Sequence, residues 1–228
     1  MAKESISQFG VILDMDGVIV DSNPVHKKAW MRFLSEQNKS LSDEEFQRKI
    51  FGRTNQDWLR EMFPEAGERR LNQLIDEKER LFRKMYAETI ALVPGLQKFL
   101  DSLEFHSVPM GVATSAPQAN VDWVLQTTDL TGYFNVILTA KDVDQGKPHP
   151  EIYLKTAEAL EKEPTSCVVF EDSLAGIESA KRADAFVVGV STTHSADEMN
   201  GADMVVQDFT GLDYILLTSL VEEKRKTA

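Results

Sequence analysis

Asp14-Met15-Asp16-Gly17 places two carboxylates two positions apart, directly after an apolar run. Thr114-Ser115 supplies a pair of hydroxyls after a second apolar run, Gly146-Lys147-Pro148 a lysine inside a constrained turn, and Glu171-Asp172 two further acids. Gathered on one rim, these residue types have the composition of a phosphoryl-transfer site built on a magnesium ion. Hard oxygen ligands hold Mg2+, the metal and a lysine offset phosphate charge, and a carboxylate can attack phosphorus. Each run alone has a plainer reading. Two acids before a glycine make a solvated turn, a strand-end threonine caps a helix, and a lysine is surface charge. A calcium loop fails on spacing, because Gly17 stands fourth rather than sixth and the twelfth position is Val25.

The elements that must gather these residues are legible as periodicity. Short apolar runs over 8–13, 108–113, 134–138, 166–170 and 186–190 read as buried strands, with a weaker one over 204–206. Helical patterns lie between them, over 94–105, 117–126, 150–160 and 173–183, with Pro at three starts and Ser173 as the fourth cap. Strands apolar on both faces alternating with helices predict an α/β fold, a Rossmann-like parallel sheet with helices on both faces. Ligands of such sheets bind beyond the carboxyl ends of the strands, which is where all four runs fall.

From Ser22 to Thr89 the rhythm breaks, and only helical periodicity remains. Ala29, Trp30, Phe33 and Leu34 share one face of a first helix, and Ser42-Asp43-Glu44-Glu45 offers a capping box for a second. Trp58, Leu59 and Met62 mark a third, and 71–86 a long charged fourth. These predict a helical cap domain over 22–91 inserted into a core of 1–21 and 92–228. The tail over 222–226 reads as a fraying helix end. Trp30, Phe33 and Trp58 are assigned to the cap's core, and Cys167, inside a strand, to the sheet's.

The chain has 228 residues, enough for one domain carrying an insertion. Its 25 Lys+Arg against 37 Asp+Glu give 25 − 37 = −12, which disfavours a nucleic-acid partner. No run approaches the roughly 18 apolar residues of a membrane span, and the N-terminus lacks a signal peptide's apolar core. The single cysteine excludes an internal disulfide and a cysteine zinc site. A cytoplasmic monomer is expected, with neither nucleic acid nor membrane as partner.

The four runs occur in order. Ile19-Val20-Asp21-Ser22-Asn23-Pro24-Val25-His26 follows the first and Leu174-Ala175-Gly176-Ile177-Glu178-Ser179-Ala180 the last. Together they resemble the motifs of the haloacid dehalogenase superfamily, and are similar to its β-phosphoglucomutase and small-phosphatase branch with a helical cap. The resemblance implies that Asp14 is a nucleophile forming an aspartyl-phosphate and Asp16 a general acid and then base. It implies that Thr114, the Ser115 N–H and Lys147 bind the phosphoryl group. Mg2+ would see Asp14, the main-chain carbonyl of Asp16, Asp172 and waters, with Glu171 a second ligand or an anchor behind. His26 matches a histidine that the mutases use near the position of Asp16. His106, His149 and His194 have no partnered spacing.

Phosphatase and mutase differ in who accepts the phosphoryl group. The mutases' cap loop reads approximately Lys-Gly-x-x-Arg and grips a second phosphate; here it reads Phe51-Gly52-Arg53-Thr54-Asn55. Phenylalanine cannot pair with phosphate, and a lost charged partner in a closed site costs roughly 2–5 kcal/mol. Gly52 and Arg53 are expected as the cap's substrate contacts, and Arg53 or Lys49 could compensate for Phe51 and Asn55 if the loop bends differently. The expectation is therefore a Mg-dependent phosphatase acting on a small phosphorylated metabolite, a sugar phosphate. The alternative is a β-phosphoglucomutase interconverting β-glucose 1-phosphate and glucose 6-phosphate. A third reading, an inactive phosphate-binding module, conflicts with an intact set of acids and lysine.

Overall fold

Strands that are apolar at both parities leave no face for water, so they are stable only with helices packed on both sides. A computed structural model of the chain describes residues 9–42, 44–45 and 55–227. Among these, the strands are β1 (Gly10–Leu13), β2 (Met110–Ala113), β3 (Val136–Leu138), β4 (Cys167–Glu171), β5 (Phe186–Val190) and β6 (Met204–Val206). The helices are α1 (Asn23–Glu36), α2 (Asn55–Met62), α3 (Glu68–Tyr86), α4 (Leu96–Phe105), α5 (Gln118–Thr127), α6 (Glu151–Ala159), α7 (Leu174–Arg182) and α8 (Tyr214–Thr227). The strands form one sheet in the order β3-β2-β1-β4-β5-β6, with every pairing parallel. This is the Rossmann-like α/β architecture expected from the alternation. The order reverses between β1 and β4, the switch point at which such sheets open a crevice.

Side chains of a strand alternate between faces, and the core divides accordingly. Ile12, Val169 and Val187 share a buried cluster with Ile152, Tyr153 and Ala157 of α6 and Ile177 and Ala180 of α7. Phe170, of the opposite parity, meets Phe99 of α4 at 5.2 Å and Phe209 at 5.1 Å between ring centroids.

Boundaries depart from the periodicity where a residue cannot join its element. β2 begins at Met110, because Pro109 has no N–H for the ladder and offers only its carbonyl, to Val11 at 3.0 Å. β4 begins at Cys167 because Pro164–Ser166 form a 3-10 turn, and it runs on through Glu171. α4 starts at Leu96, after Gly95 at φ +82°. α8 is longer than the tail that sequence assigned to it, and Asp213 opens it by accepting the Leu216 N–H at 2.9 Å.

The chain divides into two compact units, Met1–Asp21 with Ala91–Ala228, and Ser22–Ile90. The second has its own core of Trp30, Phe33, Leu34, Trp58, Leu59, Leu71 and Leu74, with Trp30 against Trp58 edge to face at 4.4 Å. The Ser42/Glu45 capping box is made in both directions, at 2.9 and 3.2 Å, and the stretch after Glu45, where a second helix is expected, lies outside the described residues. No helix among the described residues is long and apolar enough to cross a membrane.

Candidate active site

β1 ends at the switch point, so the next residue, Asp14, is set at the carboxyl rim by its own ladder bond to the Phe170 carbonyl, at 3.0 Å. Gly17 stands at φ +81°, a conformation that favours glycine, and lets Met15–Val20 fold into a tight turn. In that turn Ile19 N–H reaches the Met15 carbonyl at 2.9 Å and Gly17 N–H the Val20 carbonyl at 2.7 Å. Asp16 is half-buried at its start.

Lys147 joins three strand ends. Its ammonium donates to Asp14 Oδ1 at 2.6 Å, Glu171 Oε1 at 2.5 Å and the Ala113 carbonyl at 3.1 Å. Those acceptors match the three protons of an ammonium. Thr114, next to Ala113, is buried, and its hydroxyl oxygen accepts the Ala116 N–H at 3.1 Å, which leaves the hydroxyl proton for donation. The Ser115 side chain is exposed at the rim.

Glu171 is engaged at both oxygens. Oε1 also accepts from Tyr153 OH at 2.6 Å, while Oε2 accepts from Asp172 N at 3.0 Å, Ser173 N at 3.1 Å and Ser173 Oγ at 3.0 Å. Ser173 turns the same hydroxyl to cap α7, accepting Gly176 N–H at 3.0 Å. Asp172, next in the chain, is buried and accepts from the Thr193 hydroxyl.

The electrostatics follow from this crowding. Burial pushes the Asp14 carboxyl up to about 7, with Lys147 opposing and Glu171 and Asp16 adding to the rise. Burial likewise drives Asp172 well above the usual carboxylate range, reinforced by Glu171 and Asp14. Glu171 falls below that range, since Lys147 and the hydrogen bonds of Tyr153 and Ser173 outweigh its burial. Lys147 is held well above an ordinary lysine, because Asp14 and Glu171 outweigh the burial that disfavours its charge.

The donor set suits a small hard cation. Asp14 and Asp172 are buried carboxylates whose charges repel, and Mg2+ uses one or two carboxylates while keeping several waters. The broader set of Asp14, Asp16, Glu171 and Asp172 is not gathered: among the described residues no group of three His, Cys, Asp or Glu side chains could hold a metal. Glu171 has its oxygens turned to Lys147, Tyr153 and Ser173. A cation here would rest on Asp14, Asp172 and main-chain or water oxygens.

Within the helical unit, His26 stacks on Phe82 at 3.6 Å and its Nδ1 lies 2.8 Å from Lys78 Nζ. Lys78 is buried, paired with Glu79 at 2.8 Å, and lies over the Trp30 ring at 4.5 Å. Asn55 donates to the same Glu79 Oε1 at 2.7 Å. Gly52 and Arg53, with Lys49 and Phe51, lie outside the described residues. Sequence reasoning missed Lys78 and Glu79, which look like solvated charges in a charged helix. It also missed Tyr153, Thr192 and Thr193. The two threonines stand at a strand's carboxyl end, and that position was the available signal.

The protein is thus a parallel α/β sheet with a buried lysine bridging acids from two strands at its switch point. The chain belongs to the haloacid dehalogenase-like hydrolases, whose family model matches residues 11–190. It is 34% identical over 178 residues to a phosphorylated carbohydrates phosphatase of Thermotoga maritima, covering 76% of this chain and 80% of that one. It is 30% identical over 223 residues to a β-phosphoglucomutase of Bacillus subtilis, covering 94% of this chain and 96% of that one. Among solved structures, a family IA variant 3 hydrolase of this group from Entamoeba histolytica matches with a TM-score of 0.85 at 27% identity, over 94% of this chain and 99% of the other.

Proposed function

We propose that this hydrolase is a magnesium-dependent phosphatase that cleaves a small phosphomonoester, a sugar phosphate, through an aspartyl-phosphate on Asp14. The observation that carries the reading is the Lys147 bridge between Asp14 and Glu171 at the switch point. An Asp14 oxygen attacks phosphorus, and the bond from phosphorus to the substrate oxygen breaks. Asp16 protonates that oxygen as it leaves, then takes a proton from the water that attacks the aspartyl-phosphate, releasing inorganic phosphate and restoring Asp14. Lys147 and the Thr114 hydroxyl offset the charge gathering on the phosphoryl oxygens. Asp14 and Asp172 would hold Mg2+, which would supply further stabilisation of the phosphoryl charge. Glu171 stays out of the chemistry and holds Lys147.

The named phosphatase relative supports hydrolysis of phosphorylated carbohydrates, and the named mutase relative supports the second reading. Two features favour the phosphatase. The loop Phe51–Asn55 lacks the lysine and arginine of the mutase pattern, and the Asn55 amide is already bonded to Glu79. β-Glucose 1-phosphate offered with catalytic glucose 1,6-bisphosphate is expected to give mainly inorganic phosphate in an NMR time course. Glucose 6-phosphate forming faster than phosphate would instead establish the mutase. A release screen over sugar and polyol phosphates, with Mg2+ and with EDTA, identifies the substrate and tests the metal.

A further inference from the structure

Four strand-end loops supply the groups used above, and the loop after β5 carries a pair of adjacent hydroxyls, Thr192-Thr193, that no step has employed. Its backbone is pinned on both sides: Ser191 N–H reaches the Val206 carbonyl and Thr192 N–H the Val190 carbonyl, each at 2.9 Å. From this base the two side chains go to different parts of the site. Thr192 Oγ1 donates at 2.6 Å to the Gly17 carbonyl, 175 positions away, in the turn that follows Asp16. Thr193 Oγ1 donates to Asp172 Oδ2.

The chemistry of the donor matters. An ammonium on Asp172 would compete with a metal for its charge, whereas a neutral hydroxyl fixes one oxygen and brings no competing charge. Hydrogen bonds of this kind orient metal-binding carboxylates, and their loss typically weakens metal affinity or activity by roughly 10–100-fold. The Gly17 carbonyl is an equally pointed target, because fixing that peptide fixes the turn that aims Asp16.

We propose that Thr192 and Thr193 are positioning residues: Thr193 orients Asp172 for the divalent cation, and Thr192 holds the Gly17 turn so that Asp16 reaches the leaving oxygen. This rests on the magnesium phosphatase reading, so metal binding is measured apart from turnover. Substrate-free protein is titrated with Mg2+ by calorimetry for wild type, Thr193→Val and Thr193→Ser. The valine variant should bind about 10-fold or more weakly, and serine should restore binding. Thr193→Cys, close to serine in size with a poor donor, repeats the comparison should valine fold badly. Thr192→Val should lose more activity on an alkyl phosphate than on p-nitrophenyl phosphate, whose leaving group needs no proton, and Thr192→Ser should recover it. Equal Mg2+ affinity in wild type and Thr193→Val, or equal losses on the two esters in Thr192→Val, would overturn the corresponding role while leaving the phosphatase intact. Wild type that binds no Mg2+ would remove the metal reading and the role of Thr193 together.

Discussion

Lys147 spends its three protons on Asp14, Glu171 and the Ala113 carbonyl, so its position is set by three strands at once. Such a fixed cation can offset phosphate charge without reorganising during the reaction. The proposed mechanism gives the two acids of the first motif different roles, and their variants should separate them. Asp14→Asn is expected to abolish turnover while the circular dichroism spectrum stays native, because no neighbour can form the covalent intermediate in its place. Asp16→Ala should lose roughly 10²–10⁴-fold, and lose more on alkyl esters than on p-nitrophenyl phosphate. Stability should reveal the crowding of charge. Between the ordinary aspartate value of 3.8 and about 7, the folded cation-free protein keeps an Asp14 proton that the unfolded chain releases. The folded state then binds more protons, so stability falls as pH rises through that window. Asp172, also raised, acts in the same direction. Glu171 and Lys147 are shifted towards their charged forms, so their contributions are lost only as pH falls below 4.5 or rises above 10.5. Melting temperature in EDTA should therefore be higher at pH 5 than at pH 7.5, Mg2+ should reduce the difference, and Asp172→Asn should reduce it without metal. A flat profile in EDTA would contradict the charge crowding.

At the scale of elements, the end of β4 and the start of α7 are fitted to one carboxylate. A Cβ on Gly176 would lie 1.9 Å from Glu171 Oε1, so the helix approaches the acid only through glycine. Gly176→Ala should displace Glu171 and with it Lys147, lowering melting temperature by several degrees and kcat by more than KM changes, as thermal melts and steady-state kinetics would record. Much of this level was legible in sequence. The strand runs were apolar at both parities, and Ser173 and the prolines marked helix starts, so the sheet and the carboxyl rim followed from periodicity. What escaped was partnership. Tyr153 reads as a core aromatic, yet its hydroxyl bonds Glu171, and Lys78 reads as surface although it is buried beside Glu79. Periodicity says which face a side chain takes. It does not say which polar atom meets it there, and for the same reason Glu171 could be read as a metal ligand from its motif.

For the molecule as a whole, two units with separate apolar cores imply two stabilities. Trp30 and Trp58 lie in the helical unit's core, and Trp123 in the other unit. In Trp123→Phe, tryptophan fluorescence therefore reports the helical unit alone. Mg2+ is expected to raise the melting of the sheet, followed by circular dichroism, more than the fluorescence transition. Equal shifts would mean that the units unfold as one.

The passage into the helical unit has a consequence for how the chain was assembled. Val20, just before the unit, forms an antiparallel bridge with Leu92, just after it, and Val93 N–H reaches the Ile19 carbonyl at 3.0 Å. Departure and return are thus joined by a single antiparallel bridge, with some seventy residues between its two sides. Loop closure makes such an insertion cheap, since each doubling of loop length costs only about 0.6 kcal/mol. Another fold with adjacent termini, spliced between Val20 and Leu92, is therefore expected to leave the register of the parallel sheet unchanged.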